Sequence, residues 1–238
     1  MYFVIARPLV MLAVLLVAQA TESHQTYRVT GKDSFQIGSR ELRGEIAYEG
    51  KERLIIRKDA RATHYTAEAD YLKSDQGQVQ ENTATFVSVV TPSGQEHDAK
   101  NADPDFLTVL NQPFAVQLDT QTLRDVRRLK EPSPFSFTSP MTGATLHGTL
   151  YHLTDGLIAG RPVVGIGFDA SGPMRGGIPE HSEISLSGTI RMSGRAYYTS
   201  ASALLLGLDA TLQIAGTLAD KSTSDPVRIL YRRKIRAE

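Results

Sequence analysis

Long stretches of this chain alternate between apolar and polar residues, and this period of two constrains the fold more than any other feature of the sequence. From Glu183 to Ser193 the even positions are apolar or glycine, and the odd positions are polar. The same alternation runs from Leu204 to Leu218 and from Val227 to Ile235. A period of two places alternate side chains on opposite faces of a β-strand. The pattern therefore predicts long strands that bury one face.

Turn-forming residues separate these and several less regular strands at short intervals. The earlier predicted strands are Leu42 to Tyr48, Arg53 to Lys58, Thr63 to Tyr71, Val79 to Val90, Phe114 to Leu118, Ala144 to Leu153 and Pro162 to Phe168. The predicted turns are Glu49-Gly50, Asp75-Gln76-Gly77, Pro92-Ser93-Gly94, Asp155-Gly156 and Ser171-Gly172-Pro173. Closely spaced strands with tight connections are antiparallel neighbours. The sequence thus predicts a mainly antiparallel all-β fold, in which a long curved sheet forms a half-barrel or a barrel-like sandwich with one short helix.

The short helix is predicted at Asp103 to Asn111. Asp103 can cap its N-terminus, and Pro104 suits the first helical position. The stretch from Asp119 to Glu131 is ambiguous, because apolar residues recur there every three positions while its first residues resemble a hairpin tip. We interpret that second stretch as a hairpin.

The first twenty residues have the form of a secretory signal peptide. A single cation, Arg7, precedes an apolar stretch from Leu9 to Val17, and the segment ends in Ala18-Gln19-Ala20. We expect cleavage after Ala20, which leaves residues 21–238 as a single antiparallel β domain without a transmembrane span. The protein is accordingly expected to be exported, and to be periplasmic or secreted.

Composition and motifs exclude several classes of function. The chain has no cysteine, which excludes disulfide scaffolds, thiolate metal sites and cysteine nucleophiles. Its 26 basic and 26 acidic side chains give no net charge, and nucleic acid is not an expected partner. No serine-hydrolase or zinc-protease motif occurs, and His147 and His152 are spaced for opposite faces of a strand. We therefore predict a protein that is not an enzyme and has neither a cofactor nor a metal site.

The apolar faces of the two longest alternating strands are the first candidate site. They could form a packed core or line a ligand cavity, and sequence does not separate the two. The predicted lining residues are Ile184, Leu186, Ile190, Leu204, Leu206 and Leu208. In the flexible loop predicted from Gly172 to Gly177 we see a candidate lid at the mouth of such a cavity.

The last predicted strand supplies the second candidate site. Alternation places four cations on one of its faces, Arg228, Arg232, Lys234 and Arg236. This basic stripe suits anionic lipid headgroups, a polyanionic surface or an acidic partner. The alternative is a solvated face that protects an edge strand from aggregation.

The chain resembles the half-barrel carriers of the bacterial periplasm, which escort lipoproteins and glycolipids. The signal peptide, the long alternating strands from Glu183 to Leu218 and the short helix at Asp103 to Asn111 carry this resemblance, at the level of architecture. The segment from Asn111 to Asp119 is similar to uncharacterised exported β-proteins. The resemblance implies an exported binding protein that shelters an apolar or lipid-like ligand against a curved sheet.

Two other hypotheses remain open at this point. One is a structural or assembly factor of the cell envelope that binds a protein or glycan through a sheet edge and the basic stripe. The other is an enzyme that acts on an envelope polymer, although no convergent acid–base pair is identifiable.

Overall fold

The computed structural model describes residues 21–38, 42–91, 96–101, 109, 120–138, 144–178, 181–220 and 223–238. Within these ranges the chain forms eleven β-strands and one α-helix. The first five strands are β1 (Thr21–Ile37), β2 (Leu42–Lys58), β3 (Thr63–Asp75), β4 (Gln78–Val90) and β5 (Glu96–Asn101). The helix α1 (Thr120–Arg127) follows them. The remaining strands are β6 (Ser133–Thr138), β7 (Thr145–Ile158), β8 (Arg161–Ile178), β9 (His181–Thr199), β10 (Leu205–Ala219) and β11 (Ser224–Ala237).

All eleven strands belong to one antiparallel sheet in the order β5-β4-β3-β2-β1-β11-β10-β9-β8-β7-β6. Two meanders, β1 to β5 and β6 to β11, meet where the first strand pairs with the last. The sheet is not closed, because β5 and β6 end its two sides without pairing to each other in the described part of the chain. The predicted all-β antiparallel fold with one short helix is confirmed.

One hydrophobic core extends across both halves of the sheet. It includes Tyr27 and Phe86 from the first meander and Phe168 and Leu212 from the second. These side chains share one core because the sheet curves around it. The helix α1 packs against β7 and β8 on this concave side and buries Leu123 and Val126 there.

Two glycines allow β9 and β10 to approach closely on the concave face. Gly188 lies directly opposite Gly216. A Cβ atom on Gly188 would lie 2.6 Å from the Gly216 Cα and 2.3 Å from the Ala215 carbonyl oxygen, distances that a real side chain does not tolerate. The alternating pattern of these strands therefore places glycine where the two backbones approach closely.

One predicted turn is confirmed, and others lie inside strands. Gln76 and Gly77 form the predicted turn between β3 and β4, with φ angles of 48° and 84° that suit a two-residue hairpin. The predicted turns at Glu49-Gly50 and Asp155-Gly156 are wrong, because β2 and β7 continue through them. The β7–β8 turn instead uses Ala159 and Gly160, which have φ angles of 47° and 72°.

The glycine-rich segment from Gly172 to Gly177 is also part of a strand. It lies in β8 and pairs with β9, with Pro173 opposite Thr189. The interpretation of this segment as a turn and a flexible lid is therefore wrong. A long regular pairing partner holds these glycines extended, where the local sequence indicates a loop.

The helix in the described residues lies in a stretch for which the sequence predicts a hairpin. The stretch from Asp119 to Glu131, interpreted as a hairpin, contains α1, because burial of Leu123 and Val126 against the sheet stabilises the three-residue apolar period as a helix. The predicted helix at Asp103 to Asn111 falls outside the described residues apart from Val109. The predicted strand at Phe114 to Leu118 and the predicted signal peptide are also outside them. In the part of the chain that the structure describes, no helix has the length and apolar character needed to cross a membrane.

Candidate ligand cavity

A cavity of about 440 Å³ lies at one end of the concave face, where the first three strands meet the loop that joins β9 to β10. Small-molecule sites commonly occupy about 300–1,000 Å³, so the cavity can admit a small ligand. The residues that line it are Ser23, Tyr27, Leu54, Ile56, Lys58, Thr63, Tyr65, Val109, Thr120, Ala201, Ser202, Ala203, Leu204 and Leu205.

The lining is apolar on the inside and polar near its exposed end. Leu54 is buried and Ile56 is half-buried, and both point inward from β2. Tyr65 lies opposite Ile56 on β3, and burial raises the pKa of its phenol. Lys58, two positions beyond Ile56 on the same face, is exposed and lies opposite Thr63. The cavity thus combines an apolar wall with a cationic end.

The β9–β10 loop is held in one shape by hydrogen bonds to Thr199. The Thr199 amide donates to the Leu204 carbonyl at 2.8 Å, and the Ala203 amide donates to the Thr199 carbonyl at 3.0 Å. The Leu204 amide donates to the Thr199 hydroxyl at 3.0 Å. These contacts close a tight loop that holds Leu204 and Leu205 against the cavity.

Side-chain hydrogen bonds of Tyr27 and Arg161 help to connect the first meander to the second at this end of the sheet. The Tyr27 hydroxyl, which is fully buried, donates to the Leu205 carbonyl at 2.8 Å. Burial is the main cause of a raised pKa at this phenol, with a smaller contribution from Glu52. The Arg161 guanidinium donates to the Gln25 side-chain oxygen at 2.7 Å. The walls of the cavity are therefore fixed relative to each other.

Glu52 is a buried carboxyl group directly opposite Tyr27. Its side chain is only 1% exposed, and the Val109 amide donates to both of its oxygens at 2.9 Å. Burial raises its pKa to about 8, although the bond from Val109 acts in the other direction. Glu52 therefore holds Val109, which lines the cavity, while its own carboxyl group is not among the described lining residues.

The sequence-predicted lining residues divide between the cavity and the packed core. Leu204 lines the cavity, whereas Ile190 and Leu208 are fully buried in the core. Leu186 is half-buried on β9. Ile184 also lies on β9, but it falls outside the described side chains. Of the six predicted lining residues, Ile190 and Leu208 thus belong to the core and Leu204 lines the cavity.

Leu206 has a different position from the one that alternation indicates. The register of β10 against β9 shifts between Leu205 and Gly207, as at a β-bulge. Leu205 and Leu208 belong to the hydrophobic core, but Leu206, although fully buried, does not. Leu206 is also not among the described lining residues. Strict alternation, on which its assignment rested, fails at this bulge.

The predicted basic stripe lies on the outer face of β11. Arg228, Arg232 and Lys234 are exposed, as alternation predicts. Arg236 is half-buried, and its guanidinium donates to the carbonyls of Leu208 and Ile235 at 3.0 and 2.9 Å. Arg228, Arg232 and Lys234 therefore have no side-chain partner among the described residues, whereas backbone carbonyls hold Arg236.

Sequence reasoning missed a buried ion pair on the concave face. Asp33 accepts two hydrogen bonds from Arg233, one of them 2.9 Å from Nη2, and the Arg233 side chain is 3% exposed. The guanidinium crosses over Gly31 and lies 5.1 Å from the centre of the Tyr48 ring. Arg233 occupies a position of β11 where alternation predicts an apolar residue, and this could have indicated a buried partner. Its partner Asp33 lies in β1, a strand that the sequence did not predict.

Other chemistry is sparse among the described residues. In those ranges no group of three or more histidine, aspartate or glutamate side chains is placed to hold a metal ion. Comparison with known proteins finds no matching family model and no matching curated protein.

Proposed function

We propose that this chain is an exported, non-enzymatic binding protein that shelters an apolar or amphipathic, lipid-like molecule in the cavity at the end of its concave face. The observation that carries the proposal is the cavity itself, because it joins an apolar wall to a cationic end. A half-closed apolar space with a few polar groups is the usual form of a small-ligand site. Covering it with a ligand also removes apolar wall from water.

The charge at the cavity indicates which kind of molecule it suits. Leu54, Ile56 and Leu204 offer contacts to a hydrocarbon chain. Lys58 offers an ammonium group at the exposed end, with the hydroxyl groups of Ser23 and Thr63 nearby in the lining. A fatty acid or another single-chain lipid with an anionic head would match both parts.

Export and the absence of catalysis are parts of the same proposal. Export is supported by the predicted signal peptide, with its single cation, its apolar stretch and the expected cleavage after Ala20. A binding role is supported by the lining, which offers no pair of carboxyl or histidine groups for acid–base chemistry among its described residues.

A bulky residue inside the cavity should block binding. We expect Ile56→Trp to weaken binding of a dansyl-labelled fatty acid by about tenfold or more, equivalent to about 1.4 kcal/mol, because the indole would occupy ligand space. Ile55→Trp is the matched control, since Ile55 is the adjacent residue on the outer face of the same strand. Fluorescence titration measures both variants, with circular dichroism to verify their folding. Equal binding by a folded Ile56→Trp variant and the wild type would refute the cavity as the site.

The cationic end should select for an anionic head. We expect Lys58→Met to weaken fatty-acid binding by about threefold, the effect of one exposed ion pair, and to leave binding of the corresponding fatty alcohol unchanged. Displacement of the same fluorescent probe by the two lipids measures the difference. Lys51→Met is the control, because Lys51 is an exposed lysine on the outer face of β2. Parallel losses for acid and alcohol would show that Lys58 does not contact the head.

A further inference from the structure

The outer face of the sheet carries a set of cations that have no carboxylate partner. Elsewhere on this face Arg53 pairs with Glu68, and Lys32 pairs with Glu45 at 2.7 Å. Within the described ranges, no hydrogen bond or ion pair is made by the side chains of Arg43, Arg191, Arg195, Arg228, Arg232 and Lys234. Unpaired cations that share one face attract an anionic partner.

Three of these arginines line two adjoining hollows on the outer face. Arg43 and Arg228 line a hollow of about 580 Å³, and Arg191 lines a second of about 250 Å³. Gln213 lines both hollows, so they form one groove. Glu45 is the described acid in its lining, and the ammonium group of Lys32 offsets its charge.

The strand register sets the spacing of the three arginines. Gln36 lies opposite both Arg43 and Arg228, and Gln213 lies opposite Arg191. The arginines therefore come from β2, β11 and β9, which are every second strand of the sheet. Because neighbouring strands are about 4.8 Å apart, the backbones of Arg43 and Arg228 lie roughly 10 Å apart. Gln213 lies opposite Leu230, two residues from Arg228, so the backbones of Arg228 and Arg191 lie roughly 12 Å apart. The groove crosses the strands obliquely and presents its charges at similar intervals of roughly 10 to 12 Å.

Between the arginines the groove is lined by neutral residues, which include Leu230 and Ala215 as well as several hydrogen-bonding side chains. Ser34, Gln36 and Gln213 line the larger hollow, and Thr189 lines the smaller one. Hydroxyl and amide side chains can donate to and accept from sugar hydroxyls, while a guanidinium group forms paired bonds to a carboxylate or sulfate. Every second sugar of an extended polysaccharide recurs at a distance similar to that between the arginines.

We propose that this groove binds a linear acidic polysaccharide, with Arg43, Arg228 and Arg191 each contacting an anionic group of the chain. A recessed groove fits an extended chain better than a flat bilayer surface, which would touch only the outermost side chains. The neutral groups between the charges favour a sugar backbone over an acidic peptide. This site is on the face opposite the cavity and does not depend on the function proposed above.

The test compares two triple variants that remove the same charge. Arg43→Gln, Arg191→Gln and Arg228→Gln together should weaken binding of alginate oligomers by about tenfold or more, whereas Arg195→Gln, Arg232→Gln and Lys234→Gln together should weaken it by about threefold or less. Calorimetry measures both, and circular dichroism verifies the fold. Neutral dextran should not bind. The proposal is overturned if the two triple variants lose equal affinity, or if phosphatidylglycerol vesicles or polyglutamate bind more tightly than alginate.

Discussion

Replacing Asp33 by alanine should destabilise the protein by about 3–5 kcal/mol, because it leaves a buried guanidinium group without its counter-charge. Arg233 is 3% exposed and makes a two-point contact with Asp33. For a chain of this length the loss corresponds to a fall in Tm of roughly 10 °C. Urea denaturation followed by circular dichroism measures the free energy of unfolding directly.

Two further variants test the reason for that loss. Adding Arg233→Met to Asp33→Ala should restore most of the stability, since an apolar side chain needs no counter-charge in the core. Asp209→Ala is the control, because Asp209 is 61% exposed and 3.9 Å from Arg236, and it should change stability by less than about 0.5 kcal/mol. A cost below about 1 kcal/mol for Asp33→Ala would contradict the assignment.

The stability of the protein should fall as the pH rises from about 4.5 to about 8. Burial raises the pKa of Glu52 from 4.5 to about 8 in the folded state. Over this range the folded chain keeps a proton that the unfolded chain has released, so each pH unit lowers the free energy of unfolding by about 1.4 kcal/mol. Above about pH 8 this contribution is fully lost and the curve becomes level.

The variant Glu52→Gln isolates this effect, because its amide does not titrate but keeps an oxygen that can accept from the Val109 amide. At pH 5 it should match the wild type within about 1 kcal/mol, and at pH 9 it should be the more stable protein. The pKa values of Glu22, Asp59 and Asp155 are lowered, so these groups titrate below the pH range in which Glu52 acts. Denaturant curves at four pH values measure the difference, and a constant difference across pH would rule out Glu52 as its source.

The sequence predicted β9 to β11 far better than β1. In β9 to β11 the inward positions are almost all apolar, so alternation is visible without a structure. In β1 the inward positions include Gln25, Gly31 and Asp33, which contact partners on other strands. These residues interrupt the apolar period of Tyr27 and Val29, so the local pattern does not reveal β1 as a strand.

The candidate site was harder to predict for the same physical reason. The cavity is assembled from strand ends and a loop that are far apart in sequence, and only Leu204 among its lining residues was proposed in advance. The turn-like pair Glu49-Gly50 interrupts the alternation of Tyr48, Leu54 and Ile56, so the sequence does not indicate that Glu52 is buried. Burial of an acid depends on the tertiary partner, here Val109, and not on its neighbours in the chain.

The pairing of β1 with β11 has a consequence for how the molecule is made. Residues about 200 positions apart must meet before the middle of the sheet exists, as the bond between Arg233 and Asp33 shows. Each meander can form through local hairpins. Until β11 pairs with them, however, β1 and β10 remain exposed edge strands of 17 and 15 residues. A chain emerging from a ribosome or a translocation pore would therefore stay incomplete, and prone to associate with other chains, until β11 has followed.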